Sequence, residues 1–379
     1  MIRSQSNTDL IGDNGLVSGS QRTVRSFEPK LSQLFLSTLT IHSATRKASL
    51  ILSGGSRLLT NETAYRPMTF KIFLEFIRLN AKAASVVPYF IGVLFSIYYF
   101  HAFNWINSLI YLIAQVAIAL FVTGFNNVQD YYLAKDLHYR DTYNIVGREH
   151  LSPRRSLRLM LVMLATAIIL GLVLVFLTNW LLLFMGAAAI GVAIFYTYGP
   201  VPFSRFPLGE LLSGCVEGFG VFFLSVYMNV ATPVLAGLTF DWPQFAIVGN
   251  LQNILVMILV GLPGIFLVAN IMLADNISDL KQDIRNERYT VPYYIGHRWS
   301  LKVYDTLALL GYIPVLISVA LQILPITQLL VLLVLPKILK NIRAFNAVQV
   351  KETTFNTAPQ NLMLFQGMQL LGLILGILF

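Results

Sequence analysis

Residues 269–284 read ANIMLADNISDLKQDI, and within them Asp275, Asp279 and Asp283 recur at steps of four. On a helix that spacing stacks three carboxylates along one face. The stretch follows directly on a long apolar run, ILVMILVGLPGIFLVANIMLA at 254–274. The helix therefore leaves an apolar medium carrying three like charges, which repel unless a cation sits among them. Carboxylate oxygens suit a hard divalent ion such as Mg²⁺, which prefers to bridge to phosphate groups. A metal carrying a diphosphate is the ligand this face predicts.

The rest of the chain fits such a setting. Of its 379 residues 56% are hydrophobic and only 12% charged, about half the usual charged share of a soluble domain. Apolar runs long enough to cross a bilayer recur from residue 67 to the C-terminus, and they predict an all-α, polytopic membrane bundle of nine transmembrane helices around a central cavity. The first span grows out of an interfacial start within 70–100, and the others fall near 107–132, 156–178, 180–198, 208–230, 248–275, 300–321, 325–341 and 360–379. Residues 1–66 are rich in Ser, Thr, Asn and Gly with scattered basic residues, and read as a poorly ordered basic extension or a targeting segment. The single Cys215 excludes an internal disulfide.

The net charge of +9 is patterned. The links after the first, third, fifth and seventh helices carry no Lys or Arg. All 27 basic residues lie in the N-terminal region, in the other links, or at the helix ends bordering them. That segregation predicts a cytoplasmic N-terminus and argues for membrane topology rather than nucleic-acid binding.

It also puts a second acidic cluster on the same face. Asn126, Asn127, Asp130 and Asp136 close the second helix as Asp275, Asn276, Asp279 and Asp283 close the sixth. Ionisable residues at membrane depth are functional candidates. Asn126, Asp130, Asp136, Asp275, Asp279 and Asp283 are the expected metal ligands, and Asn276 an expected substrate contact. Arg148 and Lys135 are the nearby cations expected to neutralise a departing diphosphate. Arg78 and Asn80 enter the first helix from the same side, where they could line the mouth. A third stretch, FYTYGPVPFSRFPLGELLSGCVEGFG at 195–220, breaks and restarts a helix. Its Gly209, Gly214, Gly218 and Gly220 allow close helix packing. Tyr196, Tyr198, Glu210 and Glu217 are candidates for contact with an aromatic acceptor, and the two glutamates share a helical face.

Together these stretches resemble the UbiA superfamily of intramembrane aromatic prenyltransferases, and within it the 1,4-dihydroxy-2-naphthoate branch. Asp275, Asn276, Asp279 and Asp283 match the family's second Asp-rich motif, and NERYTVPYYIG at 286–296 resembles its continuation. YTYGP at 196–200 and LGE at 208–210 resemble elements of the naphthoate branch. The first motif departs from the pattern: Asn126, Asp130 and Tyr131 fit, but Gln129 replaces an Asn and no acid stands at 133–134. The likeness covers about residues 68–379.

The resemblance implies Mg²⁺ bridging two acidic motifs to a polyprenyl diphosphate, an isoprenoid tail in a groove open to lipid, and an aromatic acid as acceptor. With dihydroxynaphthoate the product is a demethylmenaquinone precursor, formed with loss of CO₂ on the cytoplasmic side of a cell or organelle membrane. Other acceptors, 4-hydroxybenzoate or homogentisate among them, would use the same chemistry. A membrane transporter is the rival of a different class.

Overall fold

The computed structural model describes residues 65–379 apart from Val201 and Pro233, and at 79–84 it describes the backbone alone. The extension expected over 1–66 thus lies, up to residue 64, outside the described residues.

A short helix, α1 (Phe70–Phe76), is capped by Thr69 and leads into α2 (Leu79–Phe100). Asn104 caps α3 (Trp105–Leu133), accepting from Asn107 N–H, as expected of an amide at a helix start. Two short helices, α4 (Leu137–Thr142) and α5 (Ile145–Arg148), follow. Ser152 as cap and Pro153 in the first turn start α6 (Pro153–Leu177), and α7 (Leu181–Phe195) returns after a tight link. Next come α8 (Gly209–Tyr227) and α9 (Leu251–Arg285), the latter capped by Asn250. The chain closes with α10 (Val291–Ile295), α11 (His297–Ala320), a 3₁₀ segment (Ile326–Val334), α12 (Leu335–Ala347) and α13 (Thr357–Leu378).

Six of these helices (α3, α6, α8, α9, α11 and α13) are long and apolar enough to cross a membrane. Two shorter apolar helices, Ser85–Phe100 and Leu181–Phe195, join them. The eighth expected span, 325–341, is helical too, as a 3₁₀ run passing into α12. The protein is thus a polytopic helical membrane bundle. One link departs from an all-helical reading: 236–249 folds as an antiparallel hairpin, β1 (Ala236–Asp241) with β2 (Gln244–Gly249), pairing Leu238 with Ile247 and Phe240 with Phe245. Alternation of aromatic and β-branched residues around a Trp-Pro turn drives it. Asn179, in the α6–α7 link, brackets Leu238, accepting from its N–H at 2.7 Å and donating to its carbonyl at 3.1 Å.

Three apolar clusters hold the bundle. One joins α2, α3, α8 and α9 around Phe95, Phe222 and Met257. A second joins α9, α11, α12 and α13 around Tyr304, Phe345 and Phe365. A third packs α1 and α5 on α3 and α6 around Phe76, Phe121 and Met160. Helices α8 and α9 approach backbone to backbone. A Cβ at Gly214 would come within 2.6 Å of the Ile265 carbonyl oxygen, and one at Gly264 within 2.6 Å of the Gly218 carbonyl oxygen. Gly209 and Gly220 have room for a Cβ, so only two of the four expected glycines serve packing. Gly218→Val is expected to lower stability by about 1–3 kcal/mol, because the obstruction is Gly264 backbone and cannot rotate away. A thermal unfolding midpoint in detergent that matches the parent would refute this.

With 35 residues, α9 is roughly 52 Å long, against a hydrocarbon core of about 30 Å. Its apolar length is therefore spent before its C-terminal turns, which carry Asp275, Asp279 and Asp283 out toward the links.

Candidate active site

The ends of α3 and α9 meet. Asn126 and Asp130 lie one turn apart on α3, and Asn126 Nδ2 donates to Asp130 Oδ2 at 3.1 Å. Thr197 Oγ1 donates to Asn126 Oδ1 at 3.2 Å, fixing the amide so that its NH₂ faces the carboxylate. Asn127 faces away and donates to the Phe76 carbonyl at 2.7 Å, which docks α1. On α9, Asp275 and Asp279 face one way and share the ammonium of Lys351. Asn276 points to the other side and donates to Glu210 Oε1 at 2.7 Å, tying α9 to α8.

Between the two helix ends lie two arginines. Arg288 Nη1 is 3.5 Å from Asp130 Oδ2, and its Nε is 3.5 Å from Asp283 Oδ1. Arg205 Nη2 lies 3.9 Å from Asp130 Oδ1, while its Nη1 donates to the Asn286 carbonyl at 3.3 Å. Asp130, Arg205, Asp279, Asp283 and Arg288 line one cavity, with Ala134, Tyr139, Gln282 and Asn286 completing its wall. Burial alone would push the Arg288 guanidinium down, but Asp130 and Asp283 more than offset it and hold it above the ordinary arginine value. Arg205 is lowered by burial, which Asp130 only partly offsets. The Tyr139 phenol is raised by burial and then by the Asp130 charge, so it stays protonated and can donate.

The remaining expected residues are placed differently. Asp136 Oδ1 accepts from the N–H groups of His138 at 3.0 Å and Tyr139 at 3.2 Å, as the cap of α4, and Asp136 is not part of the cavity wall. Lys135 pairs with Glu287 at the surface, and its N–H and that of Asp136 both donate to Asn286 Oδ1 at 3.3 Å. Arg148 is occupied by Glu75 at 2.5 Å and Glu149 at 3.3 Å, pinning α5 to α1 away from the cavity. Arg78 is exposed, in a left-handed conformation at the start of α2, and is near enough for its charge to act on Asp275, Lys351 and Tyr139, at the mouth as expected. The side chain of Asn80 lies outside the described residues. Deeper in the bundle, Ser213 Oγ donates to Tyr196 Oη at 3.2 Å and Ser85 Oγ to Glu217 Oε2 at 3.3 Å. Tyr198 is half exposed, edge-on to Phe125.

The sequence points to no role for Arg205, Tyr139 or Lys351; Asn286 and Arg288 lie in the 286–296 stretch, and Arg288 is one of the basic residues after the second acidic cluster that can neutralise a departing diphosphate. Arg205 did carry a signal, as the one basic residue in the 195–220 stretch.

The donors are oxygen-only, as Mg²⁺ requires. Asp283 Oδ2 is buried and accepts no hydrogen bond, so it has capacity for a cation. Among the described residues no three His, Cys, Asp or Glu side chains stand close enough to hold a metal by themselves. The set fits an ion that takes one or two carboxylates here and the rest of its shell from phosphate oxygens and water.

The profile of the UbiA prenyltransferase family matches residues 85–358, which includes both acidic helix ends and the cavity between them. The chain belongs to the UbiA prenyltransferase family. Among curated relatives, the 1,4-dihydroxy-2-naphthoate octaprenyltransferase of Bacillus subtilis is 26% identical over 246 residues, covering 64% of this chain and 72% of that protein. Among solved structures, a UbiA homolog from Aeropyrum pernix K1 aligns with a TM-score of 0.59 at 17% identity, over 79% of this chain and 98% of that one. A UbiA homolog from Archaeoglobus fulgidus bound to GPP and Mg²⁺ aligns with a TM-score of 0.56 at 13% identity, over 81% and 100%. At such identities these two show the common fold. Membership of the UbiA family makes the protein a prenyltransferase enzyme.

Proposed function

We propose that this UbiA-family protein transfers a polyprenyl group from a polyprenyl diphosphate to 1,4-dihydroxy-2-naphthoate, with Mg²⁺ as cofactor. The observation that carries the reading is the convergence of Asp130, Asp279 and Asp283 on one cavity with Arg205 and Arg288 among them. The donor and metal are supported by the Archaeoglobus relative, which holds GPP and Mg²⁺. The acceptor is supported by the 196–200 and 208–210 elements and by the substrate in the name of the Bacillus relative.

In this reading Asp130 and Asp279 hold the metal from the two helix ends, with Asp283 and Asp275 beside them and Asn126 orienting Asp130. Bound Mg²⁺ stabilises charge on the diphosphate and so favours cleavage of the allylic carbon–oxygen bond. Arg205 and Arg288 face the same leaving group and neutralise the charge that develops on it. The apolar walls of α2, α3, α8 and α9 house the prenyl chain and keep water from the allylic cation. Tyr196, Ser213, Glu217 and Ser85 offer the polar groups that orient the acceptor. Its ring carbon forms the new carbon–carbon bond, and its carboxyl group leaves as CO₂.

We further infer nine crossings, α2, α7 and 326–347 adding three to the six long spans, with the N-terminus and the acidic mouth on the cytoplasmic face. The basic residues of the 134–152 and 286–298 links support that orientation. A transporter is disfavoured because the charged groups gather at one end of the bundle rather than at mid-span broken helices.

Purified protein incubated with Mg²⁺, a polyprenyl diphosphate and a panel of aromatic acids is expected to prenylate dihydroxynaphthoate with equimolar CO₂ release, and to stop in EDTA. Preference for 4-hydroxybenzoate or homogentisate would replace the acceptor. Turnover that survives EDTA would overturn the mechanism.

A further inference from the structure

Asp275 and Asp279 share a cation that belongs to the chain itself. Lys351 Nζ donates to Asp275 Oδ1 and to Asp279 Oδ2. Its ammonium also lies 5.2 Å from the ring centroid of Phe355. The residue sits in the 348–353 connector between α12 and α13. This connector is a compact turn: Thr354 Oγ1 accepts from Val350 N–H at 2.9 Å and donates to the Val348 carbonyl at 2.7 Å. Lys351 is thus presented by a folded turn, and no other site residue comes from this part of the chain.

An ammonium and a divalent ion compete for the same carboxylate oxygens, since each needs those lone pairs. Arg288 is different. It pairs with Asp130 and Asp283 through a fixed planar fork and leaves Asp283 Oδ2 without a hydrogen bond. A lysine head is a point charge on a flexible stem and can exchange partners without moving the backbone.

We propose that Lys351 is an exchangeable counter-ion of the site. It holds Asp275 and Asp279 together in the resting protein, yields them to an entering divalent cation, and places its ammonium on the diphosphate oxygens that follow. It is then a substrate-binding residue, and the 348–353 connector senses whether the mouth is charged. The inference rests on the metal–diphosphate reading above.

The test uses the full chain in lipid nanodiscs, with Mn²⁺ and inorganic pyrophosphate as probes. Cleavage by trypsin after Lys351 is expected to be slow in EDTA, about tenfold faster in saturating Mn²⁺ alone, and slow again once pyrophosphate is added, the factor reflecting loss of a charged hydrogen bond. By paramagnetic resonance, Lys351→Met is expected to bind Mn²⁺ about tenfold more tightly without pyrophosphate, and the Mn²⁺–pyrophosphate pair about tenfold less tightly. Cleavage indifferent to Mn²⁺, or Mn²⁺ affinity unchanged or weakened in Lys351→Met, would make the lysine a fixed strut and overturn the proposal. Cleavage of the parent protein decides the matter alone if the variant does not fold. A parent that binds no Mn²⁺ would instead sink the metal–diphosphate reading itself.

Discussion

Asp279→Ala is expected to lower prenyl transfer by roughly 10²–10³-fold or more, the scale of losing one preorganised charge at a developing leaving group. Asp279 lines the cavity with Gln282 and Asp283 of the same helix, and it is also one of the two carboxylates that hold Lys351. Its removal has two separable consequences. The metal loses one carboxylate of the cavity and keeps Asp130 and Asp283; Asn276, which points to Glu210, and Ala134, which offers only carbon, add none. Lys351 keeps Asp275, so the connector stays paired and the fold should hold. Activity should therefore collapse with little change in thermal midpoint. Asp279→Asn tests charge against shape: it preserves volume and one oxygen, and should be nearly as impaired if the carboxylate holds Mg²⁺. Single-turnover transfer of a labelled prenyl group at saturating Mg²⁺ is the measurement. Turnover within a few-fold of the parent would remove Asp279 from the metal site.

How far the site was legible follows from the kind of signal each residue carries. The i, i+4 spacing of Asp275, Asp279 and Asp283 is a local property, and α9 carries all three as the spacing predicts. The end of α9 was less legible. Hydropathy marks where the apolar run stops, near 275, but the helix continues to Arg285 because nothing before Asn286 caps or breaks it. The 236–249 hairpin is not legible either, since a short alternating run is too brief to stand out between apolar spans. The long-range pairings were not legible at all. Lys351 reaches Asp275 and Asp279 only because α13 packs back onto α2 and α9, and no spacing encodes that. Arg148 misled for the converse reason. Proximity in sequence to the first cluster suggested the cavity, whereas α1, docked by Asn127, brings Glu75 to it first.

The weakened first motif can be understood from the same geometry. One turn beyond Asp130, where a second acid would face the cavity, stands Ala134. Asp136 does not fill the gap, being spent on the start of α4. What stands there in its place is positive: Arg205 and Arg288 both lie against Asp130. A site with fewer acids and more fixed cations binds diphosphate more through the protein and less through the metal, which raises the weight on Arg288.

Arg288→Met is accordingly expected to be costly twice over. The guanidinium is the shared counter-ion of two carboxylates whose side chains are 12% and 7% exposed. Removing one member of such a buried pair typically costs about 3–5 kcal/mol, because the partner charge is left in a poor medium. Here Arg205, at 3.9 Å from Asp130, covers only one of the two, so the lower end of that range, about 3 kcal/mol, is expected. Prenyl transfer should fall by roughly 10²-fold or more, since a donor aimed at the leaving group is gone. Arg288→Lys should recover part of the stability and less of the rate, because a point charge cannot reach Asp130 and Asp283 at once with the planar fork's geometry. The double variant Arg288→Met/Asp283→Asn separates the roles. Neutralising Asp283 removes the stranded charge and should restore most of the thermal midpoint, while transfer stays at the level of Arg288→Met or below. If activity returns together with stability, Arg288 holds the two helix ends in place and does nothing further for the diphosphate.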